Sequence, residues 1–198
     1  MTDDVSDLFR QVAANMTAVA DGGYPQAVSD AVDLVYETFV SGRKLLVFGN
    51  GGSSADAQHF TAELVGRFVA ERRALPAIAL TTNQAMLTAW SNDHSFDDVF
   101  ARQIEALGSR GDVAFGISTS GTASNVLNAL ERAREQGLRT IGLTSEKGGR
   151  MTSLCDVLLA VPLTSTARIQ EVHLVTYHAI CAAVEARILA SEASRQTR

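Results

Sequence analysis

Five short apolar segments alternate with helix-like segments along most of this chain, and that alternation constrains the fold more than any other feature. The apolar segments lie near residues 44–48, 76–80, 112–118, 138–144 and 156–161. A short, continuous apolar run is typical of a strand buried on both faces of a parallel sheet. Strands that alternate with helices therefore predict an α/β domain with helices on both sides of the sheet.

Helical patterns flank and connect these segments. The clearest helices are predicted at Val5–Val19, Pro25–Val40, Ser53–Val69, Thr122–Gln136 and from Thr166 to about Ala190. The first two form an N-terminal helical extension within residues 1–41, and a polar tail follows the last from about residue 191. With three prolines and no Pro/Gly-rich linker, residues 1–198 are predicted to form one domain.

Composition narrows the class of protein. Of the 198 residues 46% are hydrophobic, enough for a full core, and the 22 acidic residues outnumber the 17 basic ones, unlike a typical nucleic-acid-binding protein. No run approaches the ~18 apolar residues of a membrane span, and the acidic N-terminus is unlike a signal peptide. The only cysteines, Cys155 and Cys181, form no C-x-x-C pair. We therefore expect a cytoplasmic protein with reduced core thiols and no nucleic-acid or membrane partner.

The first candidate site is a glycine-rich turn, GNGGSS, at residues 49–54, between a predicted strand and a predicted helix. Glycines allow backbone N–H groups to approach a ligand closely, and the N-terminus of the following helix favours an anion. A plain turn capped by Ser53 or Ser54 would look the same in sequence. The turn lacks the lysine of a P-loop, so nucleotide-driven chemistry is not indicated.

A second turn of this kind, Ser118-Thr119-Ser120-Gly121-Thr122, follows the predicted strand at 112–118. Ligands of open α/β sheets bind outside the carboxyl ends of the strands, so the two turns could converge on one phosphate. Neither turn contains Lys or Arg, which suits a phosphomonoester held by hydroxyls and backbone amides. The expected ligand is therefore a sugar phosphate.

Two helices carry further polar residues. His59 and Glu63 are spaced i, i+4, so both side chains lie on one helix face, where they could share a metal, act as acid and base, or form a surface pair. The last helix contains Gln170, Glu171, His173 and His178 among apolar residues. Gln170 and His178 are about 12 Å apart along a straight helix, so they could reach one centre only from opposite ends or from neighbouring subunits.

Four longer blocks occur in order between about Val40 and Ile188: GNGGSSADAQHFTAELVGRF, SNDHSFDDVF, GDVAFGISTSG and ARIQEVHLVTYH. Together they resemble the phosphoheptose isomerases, a family of sugar isomerase (SIS) domain proteins. The resemblance implies a three-layer sandwich with a flavodoxin-like five-stranded parallel sheet, assembled as a homotetramer. It also implies conversion of sedoheptulose 7-phosphate to D-glycero-D-manno-heptose 7-phosphate through an enediol, the first step of ADP/GDP-heptose precursor synthesis for bacterial lipopolysaccharide.

The resemblance also implies roles for individual residues. Substrate binding is implied for Asn50, Gly51, Gly52, Ser53, Glu63, Arg67, Asn92, Asp93, Ser118, Thr119, Ser120 and Gln170. One zinc ion per subunit is implied, with the ligands His59, Glu63, Gln170 and His178. Glu63 and His178 are also the implied catalytic base and acid. A carboxylate, an imidazole and a metal suffice for a ketose–aldose exchange, without a redox or nucleotide cofactor.

Two positions depart from the family pattern. Ala123 replaces a serine common in the phosphate turn, which leaves Thr122 and Ser124 as candidates to supply that hydroxyl, and Ala167 replaces an aspartate that assists catalysis in some members. A sister group with this fold resembles a protein that binds the replication initiator DnaA without catalysis, but lacks the histidine that matches His178. The presence of His178 in this chain favours an enzyme over the DnaA-binding alternative. A further alternative is an isomerase that acts on another ketose phosphate.

Overall fold

A computed structural model describes the backbone of residues 2–196 and the side chains of residues 4–194. The helices are α1 (Thr2–Asp21), α2 (Tyr24–Val40), α3 (Gly52–Val65), α4 (Gln84–Asp93), α5 (Val99–Leu107), α6 (Ser124–Glu135), α7 (Met151–Leu154) and α8 (Thr166–Gln196), with a 3₁₀ turn at Phe96–Asp98. The strands are β1 (Leu45–Gly49), β2 (Ala77–Ala79), β3 (Val113–Ile117), β4 (Arg139–Ser145) and β5 (Val157–Val161). All five predicted strands and both N-terminal helices are confirmed.

The strands form one parallel sheet in the order β2-β1-β3-β4-β5. Leu45 pairs with Ala77 on one side and with Val113 on the other, so β1 lies between β2 and β3. This is the flavodoxin-like, doubly wound order, and it confirms the fold that the sequence resemblance implied. The direction of winding reverses between β1 and β3, which opens a crevice at their carboxyl ends.

Helices cover both faces of the sheet, because successive residues of each strand point to opposite sides. On β1, Leu45 and Val47 join a core beneath α2, α3 and α8, whereas Leu46 and Phe48 join a second core beneath α5, α6 and α7. All four side chains are fully buried. The helices α3 and α8 therefore pack on the same face, and these are the helices that carry the candidate metal and acid–base residues.

The helix α3 ends at Val65, earlier than the predicted Val69. Its last turn is capped by Arg72, whose guanidinium donates hydrogen bonds to the carbonyl oxygens of Glu63, Leu64 and Gly66 at 2.8–3.2 Å. Periodicity in the sequence could not reveal this end, because the hydrogen-bond partner of the terminal carbonyl groups is a side chain six to nine residues further along the chain.

A buried ion pair fixes the same loop to α8. Arg72 Nε lies 3.1 Å from Glu185 Oε2, and both side chains are at most 5% exposed. The Glu185 carboxylate also accepts hydrogen bonds from the backbone N–H groups of Phe68, Val69 and Ala70 at 2.8–2.9 Å. Burial alone would raise the pKa of Glu185, but these hydrogen bonds and the charge of Arg72 hold it below its usual value. The pair thereby joins α3 to α8.

The helix α8 is longer than predicted, since it continues to Gln196 through much of the expected polar tail. Its stretch Thr166–Ser194 is also long and apolar enough to cross a membrane, with a mean hydropathy of 1.2 over its best window. Half of that window is buried inside the domain. A core helix meets the same criterion, so this helix is weak evidence for a membrane span.

We predict that Glu185→Gln destabilises the protein by about 3–5 kcal/mol, because it leaves the buried Arg72 guanidinium without a charged partner. The matched control is Glu192→Gln on the same helix, which removes a more exposed ion pair with Arg73 and should cost less than about 1 kcal/mol. Urea unfolding followed by circular dichroism measures both. Equal losses in the two variants would contradict a special role for the buried pair.

Candidate active site

The glycine-rich turn after β1 places the start of α3 in the crevice between β1 and β3. Gly51 has a φ of +54°, a left-handed conformation that suits glycine, and α3 begins at the next residue. A Cβ on Gly49 would lie 2.7 Å from the carbonyl oxygen of Ile117, so the ends of β1 and β3 could not approach this closely with a larger residue. Ser53 is only 4% exposed, in the first turn of α3.

The hydroxyl-rich turn after β3 lies beside it and forms a connected group. Ser120 Oγ accepts hydrogen bonds from Thr122 Oγ1 at 3.0 Å and from the Thr122 backbone N–H at 3.3 Å, and lies 3.4 Å from Ser118 Oγ. Of the two hydroxyls considered in place of a serine at position 123, that of Thr122 is bonded to this group, and Ser124 begins α6. Both predicted anion-binding turns stand at the carboxyl ends of β1 and β3, directly before α3 and α6.

A pair of amides joins the two turns. The side chains of Asn50 and Asn125 exchange two hydrogen bonds of 2.8 and 2.9 Å, and Asn125 is buried. Sequence analysis assigned no role to Asn125. Its only signal is its position in the first turn of α6, which is insufficient without knowing that β1 and β3 are neighbours. This contact fixes the position of one turn relative to the other, and it uses both polar atoms of the Asn50 side-chain amide.

A cavity of about 280 Å³ opens next to the second turn. Thr119 and Ser120 line one side, the loop after β4 contributes Lys147, and Thr166 at the start of α8 closes another side. Neither turn contains a basic residue, but a basic residue from another part of the chain lies beside the second turn. The tertiary structure adds two residues of opposite charge, Lys147 and Glu146, from a third strand end.

The second part of the site is a cluster of His59, Glu63 and His178. His59 Nε2 lies 3.1 Å from Glu63 Oε1 and 3.5 Å from His178 Nε2. The first contact follows from the i, i+4 spacing on α3, and the second requires the packing of α8 against α3. Burial and the charge of His59 lower the pKa of His178, while Glu63 opposes this shift.

His59 contacts a further residue on α8. Its Nδ1 lies 3.0 Å from the Tyr177 hydroxyl. Across residues 4–194, no three His, Cys, Asp or Glu side chains have the arrangement of a ready metal site. Glu63 and His178 instead each contact His59, which is the central member of the cluster.

Gln170 lies at the other end of α3. Its amide nitrogen is so close to Gly52 that a Cβ there would approach it to 2.6 Å. Because Gln170 packs on Gly52 and His178 on His59, the two α8 residues face points about 10 Å apart along α3. Within one chain, Gln170 therefore lies beside the glycine-rich turn and His178 beside the His59–Glu63 pair.

Several other predicted residues lie apart from this cluster. Arg67 is more than half exposed and pairs with Glu71, while Asn92 and Asp93 are exposed at the end of α4 and bond to each other. Glu171, considered a candidate on the last helix, pairs with Arg168.

His173 belongs to the core rather than to the site. It is fully buried, and this burial lowers its pKa to about 4. Its Nε2 lies 3.4 Å from the carbonyl oxygen of Thr144, a long contact that opposes the shift without cancelling it. His173 and His178 thus have different surroundings although both belong to α8, because only one side of the helix faces α3.

Comparison with known proteins agrees with this architecture. The SIS domain family matches residues 8–145. Curated phosphoheptose isomerases from Synechocystis and Pelobacter propionicus are 49% and 50% identical to the chain, cover 95% and 96% of it, and are themselves covered over 97% and 100% of their length.

Solved structures give the same result. The phosphoheptose isomerases of Neisseria gonorrhoeae and Francisella tularensis both superpose with a TM-score of 0.88, at 39% and 36% identity. Each comparison covers 93% of this chain, and 98% and 97% of the respective solved chain.

We predict that Gly121→Ala destabilises the second turn more than backbone strain alone explains. Gly121 has a φ of +67°, and an added Cβ would lie 2.3 Å from the carbonyl oxygen of Gly148. Gly42→Ala is the matched control, because Gly42 has a similar φ of +70° but open space around it. The control should show only the left-handed penalty of about 1–2 kcal/mol. Thermal unfolding of both variants measures the difference, and equal losses would contradict the predicted clash.

Proposed function

We propose that this chain, which belongs to the phosphoheptose isomerase family of SIS-domain proteins, converts sedoheptulose 7-phosphate into D-glycero-D-manno-heptose 7-phosphate. Its family membership makes it an aldose–ketose isomerase. The observation that carries the proposal is the position of Glu63 and His178 on neighbouring helices, with α3 leading from them to the phosphate turns.

In this proposal the two turns bind the phosphate group of the substrate. Hydroxyls of Ser53, Ser118, Thr119 and Ser120 can donate to its oxygens, and the N-termini of α3 and α6 add free backbone N–H groups and positive dipole ends. Thr122 extends the group, since it is bonded to Ser120. Seven residues of α3, about 10 Å, separate Gly52 from His59. A sugar bound by a terminal phosphate at the turns can therefore extend along α3 with its other end near Glu63.

The chemistry requires a proton to move between adjacent carbons. Glu63 is the proposed base, which takes the proton from the carbon beside the carbonyl and returns it to the neighbouring carbon. His178 is the proposed acid, which moves a proton between the two oxygens as the enediol forms and collapses. His59 touches both groups and keeps them within one hydrogen-bonded cluster.

Zinc, one ion per subunit, is part of the proposal. Imidazole nitrogens and a carboxylate oxygen are donors that zinc prefers, and His59, Glu63 and His178 already direct such atoms at one another. Gln170 would complete the set. The chemistry supplied by a bound ion is polarisation of the oxygens at the reacting carbons and stabilisation of negative charge.

The proposal also includes the assembly and the pathway. We propose that the chain forms a homotetramer in the cytoplasm and catalyses the first step of ADP/GDP-heptose precursor synthesis. An unpartnered apolar face supports the assembly: Val5, Leu8 and Phe9 of α1 are 45–71% exposed at helical spacing. An apolar groove of about 410 Å³ also lies between α1, α2 and α8. A neighbouring copy could bring its own Gln170 or His178 to the cluster, which would overcome their separation along one helix.

We predict that Glu63→Gln lowers turnover of sedoheptulose 7-phosphate by about 10²–10⁴-fold, because an amide of the same size cannot accept the proton. NMR detection of the aldose product measures the rate. Glu105→Gln, which changes a surface carboxylate on α5, should retain full activity. No turnover by the unaltered protein would refute the proposed substrate, and the assay is then repeated with other ketose phosphates.

We predict that activity falls on dilution as the assembly dissociates. Light scattering after size exclusion, run beside activity over a dilution series, compares the mass with that of a 21.1 kDa single chain. Phe9→Glu, which places a charge on the exposed apolar face of α1, should shift both curves to higher protein concentration. A single chain with full specific activity would refute the shared site.

A further inference from the structure

We propose that Lys147, in the loop after β4, is a further substrate-binding residue whose ammonium group binds the phosphate of the sugar at the hydroxyl-rich turn. The inference rests on the proposed function, because it takes a sugar phosphate as the ligand of that turn. It adds a positive charge to a site for which the sequence indicated only hydroxyls and backbone amides.

The loop that carries Lys147 is held against the hydroxyl-rich turn by a close contact between their backbones. A Cβ on Gly149 would lie 2.5 Å from the carbonyl oxygen of Gly121, so a larger residue there would push the loop away. Within the loop, the Gly148 N–H donates a hydrogen bond of 2.9 Å to the carbonyl oxygen of Ser145. This bond closes a β-turn with Lys147 at one of its two central positions. The backbone of Lys147 therefore has a fixed place beside the hydroxyl-rich turn.

From this position the Lys147 side chain reaches the cavity. It lines the space of about 280 Å³ together with Thr119 and Ser120 of the hydroxyl-rich turn. It is exposed, and none of the ion pairs between the side chains that the structure describes includes it. The only other lysine in the sequence, Lys44, pairs with Asp112 at the amino ends of the strands. The Lys147 ammonium group can therefore bind an anion without breaking an existing ion pair.

A phosphomonoester is the ligand that this arrangement suits. It carries about −1.5 to −2 charges at pH 7, and an ammonium group on a flexible four-carbon stem binds its oxygens through charge-assisted hydrogen bonds. The hydroxyls of Thr119 and Ser120 and the N-terminus of α6 can donate to the same phosphate from the turn. Lys147 adds a donor from the side of β4.

Glu146 lines the same cavity with the opposite charge. Both side chains are exposed, so an anion at the turn can draw the ammonium group close while the carboxylate rotates away. Coulomb energy falls with distance, and the net effect of the two residues is therefore an attraction that Glu146 weakens. The two charges thus have opposite expected effects on substrate binding.

The test measures KM and kcat for sedoheptulose 7-phosphate in variants of the full-length protein. Lys147→Met removes the charge but keeps an unbranched stem, and it should raise KM about tenfold, because a charge-assisted hydrogen bond is lost. Its kcat should stay within about twofold, since a phosphate remote from the reacting carbons binds equally in the ground state and the transition state. Lys147→Arg should restore KM, and Glu146→Gln should lower it.

The matched control is Arg150→Met, which removes the same charge three residues further along the chain. Arg150 pairs with Glu131 and is not among the residues that line the cavity, so this variant should keep the KM of the unaltered protein. Thermal unfolding verifies that each variant folds. An unchanged KM in Lys147→Met would overturn the inference, and so would an equal rise in Arg150→Met, which would indicate an effect of net charge rather than a contact.

A second measurement uses the unaltered protein and requires no turnover. Acetic anhydride acetylates lysine side chains, and peptide mass spectrometry distinguishes Lys147 from Lys44. Sedoheptulose 7-phosphate and inorganic phosphate should each slow the acetylation of Lys147 and leave that of Lys44 unchanged, relative to sodium chloride at equal ionic strength. Absence of protection by both compounds, or equal protection of the two lysines, would overturn the inference.

The outcomes separate this inference from the proposed function. Turnover of sedoheptulose 7-phosphate with an unchanged KM in Lys147→Met retains the isomerase and removes Lys147 from the site. No turnover, together with protection of Lys147 by inorganic phosphate, refutes the proposed substrate and retains the phosphate-binding lysine. No turnover and no protection refute both.

Discussion

The side-by-side packing of α3 and α8 on one face of the sheet is the constraint on which the rest of the site depends. It brings His178 to within 3.5 Å of His59 and places Gln170 on Gly52. The buried Arg72–Glu185 pair strengthens this contact, because it caps the end of α3 and holds the following loop on α8. Breaking such a pair leaves an uncompensated buried charge, so the two helices are coupled in stability as well as in geometry.

The crevice between β1 and β3 determines what the other end of α3 can bind. Parallel strands whose winding order reverses leave room at their carboxyl ends, and here two helix N-termini and two hydroxyl-bearing turns fill that edge. The paired amides of Asn50 and Asn125 keep the turns together. The proposed anion-binding end and the proposed proton-transfer end thus share a single helix, a layout suited to a sugar with a terminal phosphate.

Buried polar groups in this protein differ in whether their polar atoms contact the candidate site. His173 lies in the core, where burial lowers its pKa, and Glu185 accepts backbone hydrogen bonds from the loop after α3. Tyr177 is equally buried, yet its hydroxyl reaches the exposed edge of His59. Burial alone therefore does not show which polar groups contact the candidate site; the direction in which the polar atom points does.

The sequence by itself determined the five strands, the parallel sheet, the glycine-rich and hydroxyl-rich turns and the His59–Glu63 pair, because strand burial, glycine turns and i, i+4 spacing are local properties. It could not locate the early end of α3, the Asn50–Asn125 bridge, Lys147 beside the second turn or the contact of Tyr177 with His59. Each of these joins residues from different segments of the chain, and the partners meet only after the chain has folded. Tertiary structure alone decided them, because hydrogen bonds between distant residues leave no periodic signal in the chain.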